Sequence, residues 1–467
     1  MSALTLSDFE NEALATLESY AGIACLSPMF DAQWAANGKI EEAIQLLATW
    51  ARSRRLQSFD VSIHRLQGRT PVLVVSVEAT APTSGTVLLY GHLDKQPPLG
   101  DWSEGLAPFA PVRRGDRIYA RGVADDGYST FSALLALETL EANSVPHARC
   151  VVLIEASEES GSTDLESHLD ALAEQLGQVE LLICLDSGAL TYDRLWVTTS
   201  LRGVVIAQVR VAVLEQGVHS GSASGVAPSS FRVLRQLLDR VEDASTGDIL
   251  LSEFVATIPV EHERAAKDLA KEFGDIIADE LPTLEGVQVM GASPAERILR
   301  RTWWPTLSVT GMGGIPEPEL AGNVLRPFTS AVLSLRLPPT VDAQRASAAL
   351  ERVLRTDVPS GAQVSVDVDG ADGWVAPPLE PWLAQALDEA SVGAFGRAPG
   401  FTGEGGSIPF LGSLAKRYPG VQFLATGVLG PHSNAHGVDE MLDLPMTVKV
   451  TNAVATVIGA HAKKKEV

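Results

Sequence analysis

His92 and Asp94 stand two residues apart at the end of an otherwise apolar run, VLLYGHLD. Both cost free energy to bury unless something binds them. Residues two apart on a strand project to the same side. The Asp94 carboxylate can therefore reach the second nitrogen of the His92 imidazole, the arrangement that fixes the tautomer of a metal-binding histidine. One such pair says little alone, but the pattern repeats. YARGVADDG ends in Asp125 and Asp126, VVLIEASEESGS carries Glu155, Glu158 and Glu159, and LLICLDSG carries Asp186. Crowded carboxylates raise one another's pKa values unless cations neutralise them, so a metal is the economical explanation. LATGVLGPHSNAHGVDE adds His432 and His436 in a loop after another apolar run. Imidazoles mixed with carboxylates suit zinc or manganese better than calcium or magnesium. If His92, Asp125, Glu159, Asp186 and His436 are the ligands, three carboxylates and a bridging hydroxide balance two divalent ions. Such a pair can acidify a shared water and polarise a carbonyl. His432 lies four residues before His436 but lacks the HExxH helix pattern, so His436 is preferred.

These residues can meet only if the elements carrying them end at one edge. Apolar runs at 60–66, 71–79, 86–94, 150–156 and 181–186 read as strands, and 40–52, 129–142 and 165–176 as helices. Ser7 followed by Glu10 suggests a capping box for a first helix. Strands alternating with helices predict an α/β fold with a mixed, largely parallel sheet covered by helices. In an open sheet of that kind, ligands bind outside the carboxyl ends of the strands. After Arg202 the texture changes, and acidic residues become rarer at strand ends. The expected organisation is a catalytic metal-binding domain over 1–199 and 375–467, with an inserted smaller α+β lid or dimerisation domain over 200–374.

Bulk composition narrows the function classes. A net charge of −22 argues against nucleic acid and anionic membrane surfaces as partners, since both call for clustered Lys and Arg. Cys25, Cys150 and Cys184 form no CxxC pair, so neither a disulfide framework nor a thiolate metal site is indicated. The N-terminal stretch lacks the basic region and apolar core of a signal peptide, and no apolar run reaches the roughly 18 residues of a membrane span. The expectation is a cytoplasmic protein.

Taken together, GHLD at 91–94, ARGVADD at 120–126, EASEESGS at 155–162, LDSG at 185–188, GVHSG at 217–221, EGGSIP at 404–409 and SNAHG at 433–437 resemble one family. It is that of the co-catalytic dinuclear metallopeptidases, which includes carnosinase-type dipeptidases, glutamate carboxypeptidase, the aminoacylases and succinyl-diaminopimelate desuccinylase. The resemblance implies two divalent ions per subunit, Zn²⁺ first and Mn²⁺ second. His92 and Asp186 would hold one ion, Glu159 and His436 the other, and Asp125 would bridge them, with a cis bond after it. It makes Glu158 the general base and gives Asp94 a catalytic supporting place beside His92. His219 becomes an oxyanion donor reaching a partner subunit, which implies a homodimer. Arg336 would grip the substrate carboxylate, with Asn323, Gly406 and Ser407 as further substrate contacts. The implied activity is hydrolysis of a dipeptide or short peptide by a water bridged between the ions. An N-acyl amino acid amidohydrolase and a catalytically silent metal-binding protein are the alternatives.

The chain departs from the pattern in three places. Asp125-Asp126-Gly127-Tyr128 stands where many relatives have Asp-Asp-Lys-Gly, Gly-Val-Asp-Glu follows His436 where Ser-Pro-Asn-Glu is common, and Gly403 replaces an arginine before EGGS. No proposed ligand is lost, so hydrolysis survives these changes, whereas a substrate preference does not carry over.

Overall fold

The computed structural model describes residues 2–82, 85–406 and 408–464. The chain divides into two compact units, Met1–Thr199 with Ala376–Thr402 and Ser413–Val467, and Ser200–Val375 with Gly403–Gly412. The second unit thus takes in the glycine-rich turn at 404–406 as well as the segment beginning near 200. The physical reason is local: Arg202 Nε donates to Gly405 O at 3.1 Å.

The first unit is built on a six-stranded sheet. Strands β1 (Phe59–His64), β2 (Val72–Val77), β3 (Thr86–His92), β4 (Arg149–Glu155) and β5 (Val179–Cys184) join a last strand, Gln422–Ala425, in the order β1-β2-β4-β3-β5-last. The pairs β1/β2 and β2/β4 are antiparallel; β4/β3, β3/β5 and β5 with Gln422–Ala425 are parallel. Every residue of β2 and β3 is buried, as expected of strands covered on both faces. Helices α1 (Ala15–Ala21), α2 (Lys39–Arg52) and α3 (Ser129–Ala142) belong to this unit, as do Pro381–Phe395 and Leu444–His461. α3 is buried on nearly all sides, which its run of Leu, Ala and Phe permits.

Two local expectations shift. The capping box sits two residues earlier than the sequence suggested: Thr5 Oγ1 accepts from Asp8 N at 3.2 Å and Asp8 Oδ2 accepts from Thr5 N at 2.9 Å. The expected helix over 165–176 breaks at Leu172 into Leu165–Ala171 and Ala173–Leu176.

The second unit carries a four-stranded antiparallel sheet. Its strands are β6 (Gly203–Ala212), β8 (Thr306–Gly313), β10 (Phe328–Leu337) and β11 (Gln363–Ala371), in the order β8-β10-β6-β11. A two-residue ribbon, β7 (Val218–His219) against β9 (Val324–Leu325), lies in the same unit. One sheet face packs against α4 (Ser230–Leu238) and α7 (Ala343–Arg355) through alternating residues such as Val205, Ala207, Val209 and Val211. α5 (Val260–Phe273) and α6 (Pro294–Thr302) complete this unit.

Candidate metal centre

The register of the first sheet brings the acidic strand ends together. His92 on β3 is the direct partner of Glu155 on β4, and Tyr90 pairs with Cys184 on β5, two residues before Asp186. Ala425 pairs with Cys184 on the other side, so the loop with His436 leaves from the same edge. Asp125 comes from the turn that leads into α3.

The five proposed ligands converge in two groups: His92, Asp125 and Asp186, and Asp125, Glu159 and His436. In each group the donor atoms lie within 4.8 Å of one another, and Asp125 belongs to both. Its Oδ1 is 3.1 Å from His92 Nε2, and its Oδ2 is 2.9 Å from His436 Nε2. Asp186 Oδ2 is 3.7 Å from His92 Nε2, and Glu159 Oε2 is 3.3 Å from His436 Nε2. His432 is in neither group. Two imidazoles and three carboxylates, one able to face both sides, make a donor set that fits a pair of borderline divalent ions. The peptide bond between Asp125 and Asp126 is cis, and His436 sits in the left-handed region at φ 62°. A non-glycine residue held there belongs to a loop whose surroundings over-determine it.

Buried hydrogen bonds hold the donors from behind. His92 Nδ1 lies 3.1 Å from Asp94 O and 3.5 Å from Asp94 Oδ1. The Asp94 carboxylate also accepts from the N–H groups of Glu158 at 3.2 Å and Glu159 at 3.1 Å. One carboxylate therefore orients the His92 side chain at the end of β3 and the backbone of the loop after β4. Glu155 is not among the ligands; its carboxylate takes hydrogen bonds from Tyr90, Ser157 and Ser162. His64, His147, His168, His262 and His461 are in neither metal group, and Cys25, Cys150 and Cys184 are buried free thiols.

Sequence reasoning missed the residue that fixes Asp125. Glu440 is fully buried, and its carboxylate accepts from Arg121 Nη1 at 2.7 Å and from the N–H groups of Gly122, Ala124 and Asp125 at 2.9, 3.1 and 3.2 Å. The only signal was its place four residues after His436. Gln96, whose Nε2 donates to Glu159 Oε2 at 2.6 Å, was missed as well. Asp126, noted only as an acid, accepts from His92 N at 3.1 Å and stiffens the strand end. Tyr128 is wholly buried and its hydroxyl donates to Leu185 O, next to Asp186.

Crowding of charge shapes the titration of the metal-free centre. Burial works against protonation of His92, but hydrogen bonds to Asp125 and Asp94 and the charge of Asp186 lift it well above the ordinary histidine range. Burial alone would raise Asp125; hydrogen bonds from His436 and His92 hold it below the usual carboxylate range instead. Glu158 is pushed well up by burial, then by the charges of Asp186 and Glu159. Such mutual displacement is what cations relieve.

The second unit holds the remaining candidates. His219 is exposed and starts a short helix, its Nδ1 accepting from Gly221 N at 3.1 Å. It pairs with Val324, and Ser220 N donates to Asn323 O at 2.9 Å, so His219 and Asn323 share one ribbon. Arg336 lies on β10 opposite Thr306 and Val204. Arg202, another residue the sequence did not flag, donates to Gly405 O, Arg300 O, Trp304 O and Thr306 Oγ1. Burial, then the charges of Arg336 and Arg301, lower its pKa to about 9. Gly406 is exposed, and Ser407 lies outside the described residues. A Cβ at Gly403 would stand 2.5 Å from Ser200 Oγ and 3.1 Å from Thr302 Cβ, so a larger residue there needs its neighbours to shift.

Comparison with known proteins adds four findings. The model of peptidase family M20/M25/M40 matches residues 88–460. The cysteinylglycine-S-conjugate dipeptidase of Corynebacterium striatum is 28% identical over 375 residues, covering 79% of this chain and 80% of that protein. Among solved structures, the dipeptidase Dug1p of Saccharomyces cerevisiae superposes with a TM-score of 0.81 at 21% identity, covering 99% and 98% of the two chains. Human carnosine dipeptidase 1 gives 0.79 at 20% identity, covering 98% of each. At these identities the two structures speak for the fold.

Proposed function

The chain belongs to peptidase family M20/M25/M40 and is a metallopeptidase, from which we propose that it is a dipeptidase with two divalent ions held at the strand ends of its first unit. His92 and Asp186 would hold one ion and Glu159 and His436 the other, with Asp125 shared. The observation that carries this reading is the membership of Asp125 in both donor groups. When bound, the ions supply Lewis acidity, which lowers the pKa of water and polarises the scissile carbonyl.

The protein's own groups do the rest. Glu158, beside Glu159 but in neither donor group, takes a proton from the attacking water and passes it to the leaving nitrogen. Asp94 keeps His92 oriented and fixes the backbone of Glu158 and Glu159. His219 donates to the oxyanion, reaching the site of a partner subunit in a homodimer. Arg336 binds the free carboxylate of the substrate, with Asn323, Gly406 and Ser407 as further contacts. The segment 200–374 serves as lid and dimerisation domain. Zinc is the first choice of metal and manganese the second, since the donors are imidazoles and carboxylates. Three buried free thiols suit the cytoplasm, and no helix among the described residues is long and apolar enough to cross a membrane.

Dipeptides are favoured as substrates because the Corynebacterium striatum relative is named for one. A dipeptide panel run beside N-acetyl and N-succinyl amino acids, with metal analysis of the same sample, tests this. Turnover confined to the acylated series would replace the peptidase reading by the amidohydrolase one. An inactive protein loaded with zinc or manganese would support the silent one.

A further inference from the structure

The family model begins at residue 88, yet a segment well before it reaches the loops that carry the proposed ligands. Tyr20 lies in the last turn of α1. Its hydroxyl donates to Leu93 O at 2.8 Å, one residue past His92. Its ring occupies the space beside Gly127, where a Cβ would stand 2.2 Å from Tyr20 Cε1. Further along, Ser27 Oγ lies 2.6 Å from Ser160 Oγ and Met29 N donates to Ser160 Oγ at 2.9 Å. Ser160 directly follows Glu159. Residues 20–29 thus touch the loops after β3, before α3 and after β4.

Lys95 locks this segment in place. It is completely buried, and its Nζ donates to Tyr20 O, Ala21 O and Ile23 O at 3.0, 3.1 and 2.9 Å. These carbonyls lie where α1 ends, Tyr20 O and Ile23 O each also accepting one backbone N–H, from Ile23 and Cys25, and a cation is favoured at that end. The ammonium also lies 4.3 Å from the Tyr20 ring centroid. The backbone repeats the tie: Lys95 N donates to Cys25 O and Ser27 N to Lys95 O, both at 3.0 Å. A buried ammonium is costly, and among the described residues Lys95 has no carboxylate partner. An apolar side chain would fill the volume at less cost, so what lysine adds is direction, three donors aimed at three fixed carbonyls.

We propose that Tyr20 and Lys95 are positioning residues of the metal centre, bracing residues 20–29 across the three loops so that His92, Asp125 and Glu159 are held at ligating distance before any ion arrives. The inference rests on the two-ion reading and reaches the chemistry only through those loops.

Titration of the full-length apoprotein with Zn²⁺, followed by dialysis and metal analysis, needs no substrate. Lys95→Met is expected to weaken Zn²⁺ binding about tenfold, the low end of what supporting partners of ligands contribute. It should also lower kcat at unchanged KM while circular dichroism stays that of the wild type. Val74→Ala, in the core of β2, should lower Tm and leave Zn²⁺ affinity alone, which separates bracing from general stability. Wild-type Zn²⁺ affinity in a folded Lys95→Met protein overturns the proposal. If that variant does not fold, Tyr20→Phe and Ser160→Ala decide. Weakening of about tenfold in either supports the brace, and wild-type affinity in both overturns it. A wild-type protein that binds two Zn²⁺ ions and cleaves no dipeptide would end the dipeptidase reading and leave this one standing.

Discussion

The strand-end centre and the His219 ribbon are built in opposite ways. His92 is buried with both ring nitrogens engaged, and the backbone of Asp125 is held by a buried glutamate on a distant segment. His219 is exposed, on a strand of two residues, and among the described residues the one hydrogen bond of its side chain is local. Groups that must stand ready before a ligand arrives are placed on rigid elements with supporting hydrogen bonds. If His219 acts as proposed, only once substrate and partner are present, it can remain on the surface, where it costs little to maintain. Substitutions at the two places should therefore fail differently.

The largest effect is expected at Asp125, shared by both donor groups. Asp125→Ala should reduce bound Zn²⁺ below two ions per chain and bring hydrolysis to background, read by metal analysis and a dipeptide assay. Full occupancy in that variant would remove the basis of the shared site. Glu158→Ala comes next: metal and fold retained, kcat lower by about 10²–10⁴, the range for general acid–base groups. Loss of metal there would make Glu158 a ligand and not a base.

At the ribbon, His219→Ala should lower kcat by about 10²–10³, as for loss of one oxyanion donor. Tm and Zn²⁺ affinity should stay unchanged because the side chain buries nothing. Mixing inactive His219→Ala and Glu158→Ala proteins under conditions of subunit exchange should restore activity, since a mixed dimer would contain one complete site. Parents that remain inactive after proven exchange would put His219 in its own subunit's site.

The same contrast explains what could be read in the sequence. An apolar run that ends in an acid is conspicuous, so the strand ends bearing His92, Glu159 and Asp186 were legible, and 129–142 matches α3. α5 and α6 were not, because sequences such as VEHERAAKDLAKEF bury little beyond Ala266 and Leu269 and show no broad apolar stripe. Glu440, Lys95 and Arg202 escaped for another reason. Charged residues are mostly exposed, and only tertiary packing marks these three as buried. Most of their hydrogen-bond partners are main-chain groups on distant segments, which no spacing rule connects.

The smallest expected effect is a proton count. In the metal-free centre burial opposes protonation of His436, yet its hydrogen bond to Asp125 and the charges of Asp125 and Glu159 push its pKa up to about 9. Burial, then the charge of Asp125, raise Glu159 to about 8. Both therefore carry protons at pH 7 that must leave before an ion binds. The sign follows: Zn²⁺ affinity should rise with pH from 6 to 9, about tenfold per pH unit for each proton released. The His436 side chain is 53% exposed, so solvent screening tempers its share. For the apoprotein the sign reverses. Both groups are raised on folding, so the stability they contribute is complete below their unfolded pKa values and is lost as pH climbs through about 8 and 9. The gap in Tm between zinc-loaded and metal-free protein should accordingly widen from pH 6 to 9. Calorimetry in two buffers of different ionisation enthalpy counts the protons directly. His436→Ala should flatten the slope and His219→Ala should not; equal slopes in all three proteins would break the distinction between the two regions.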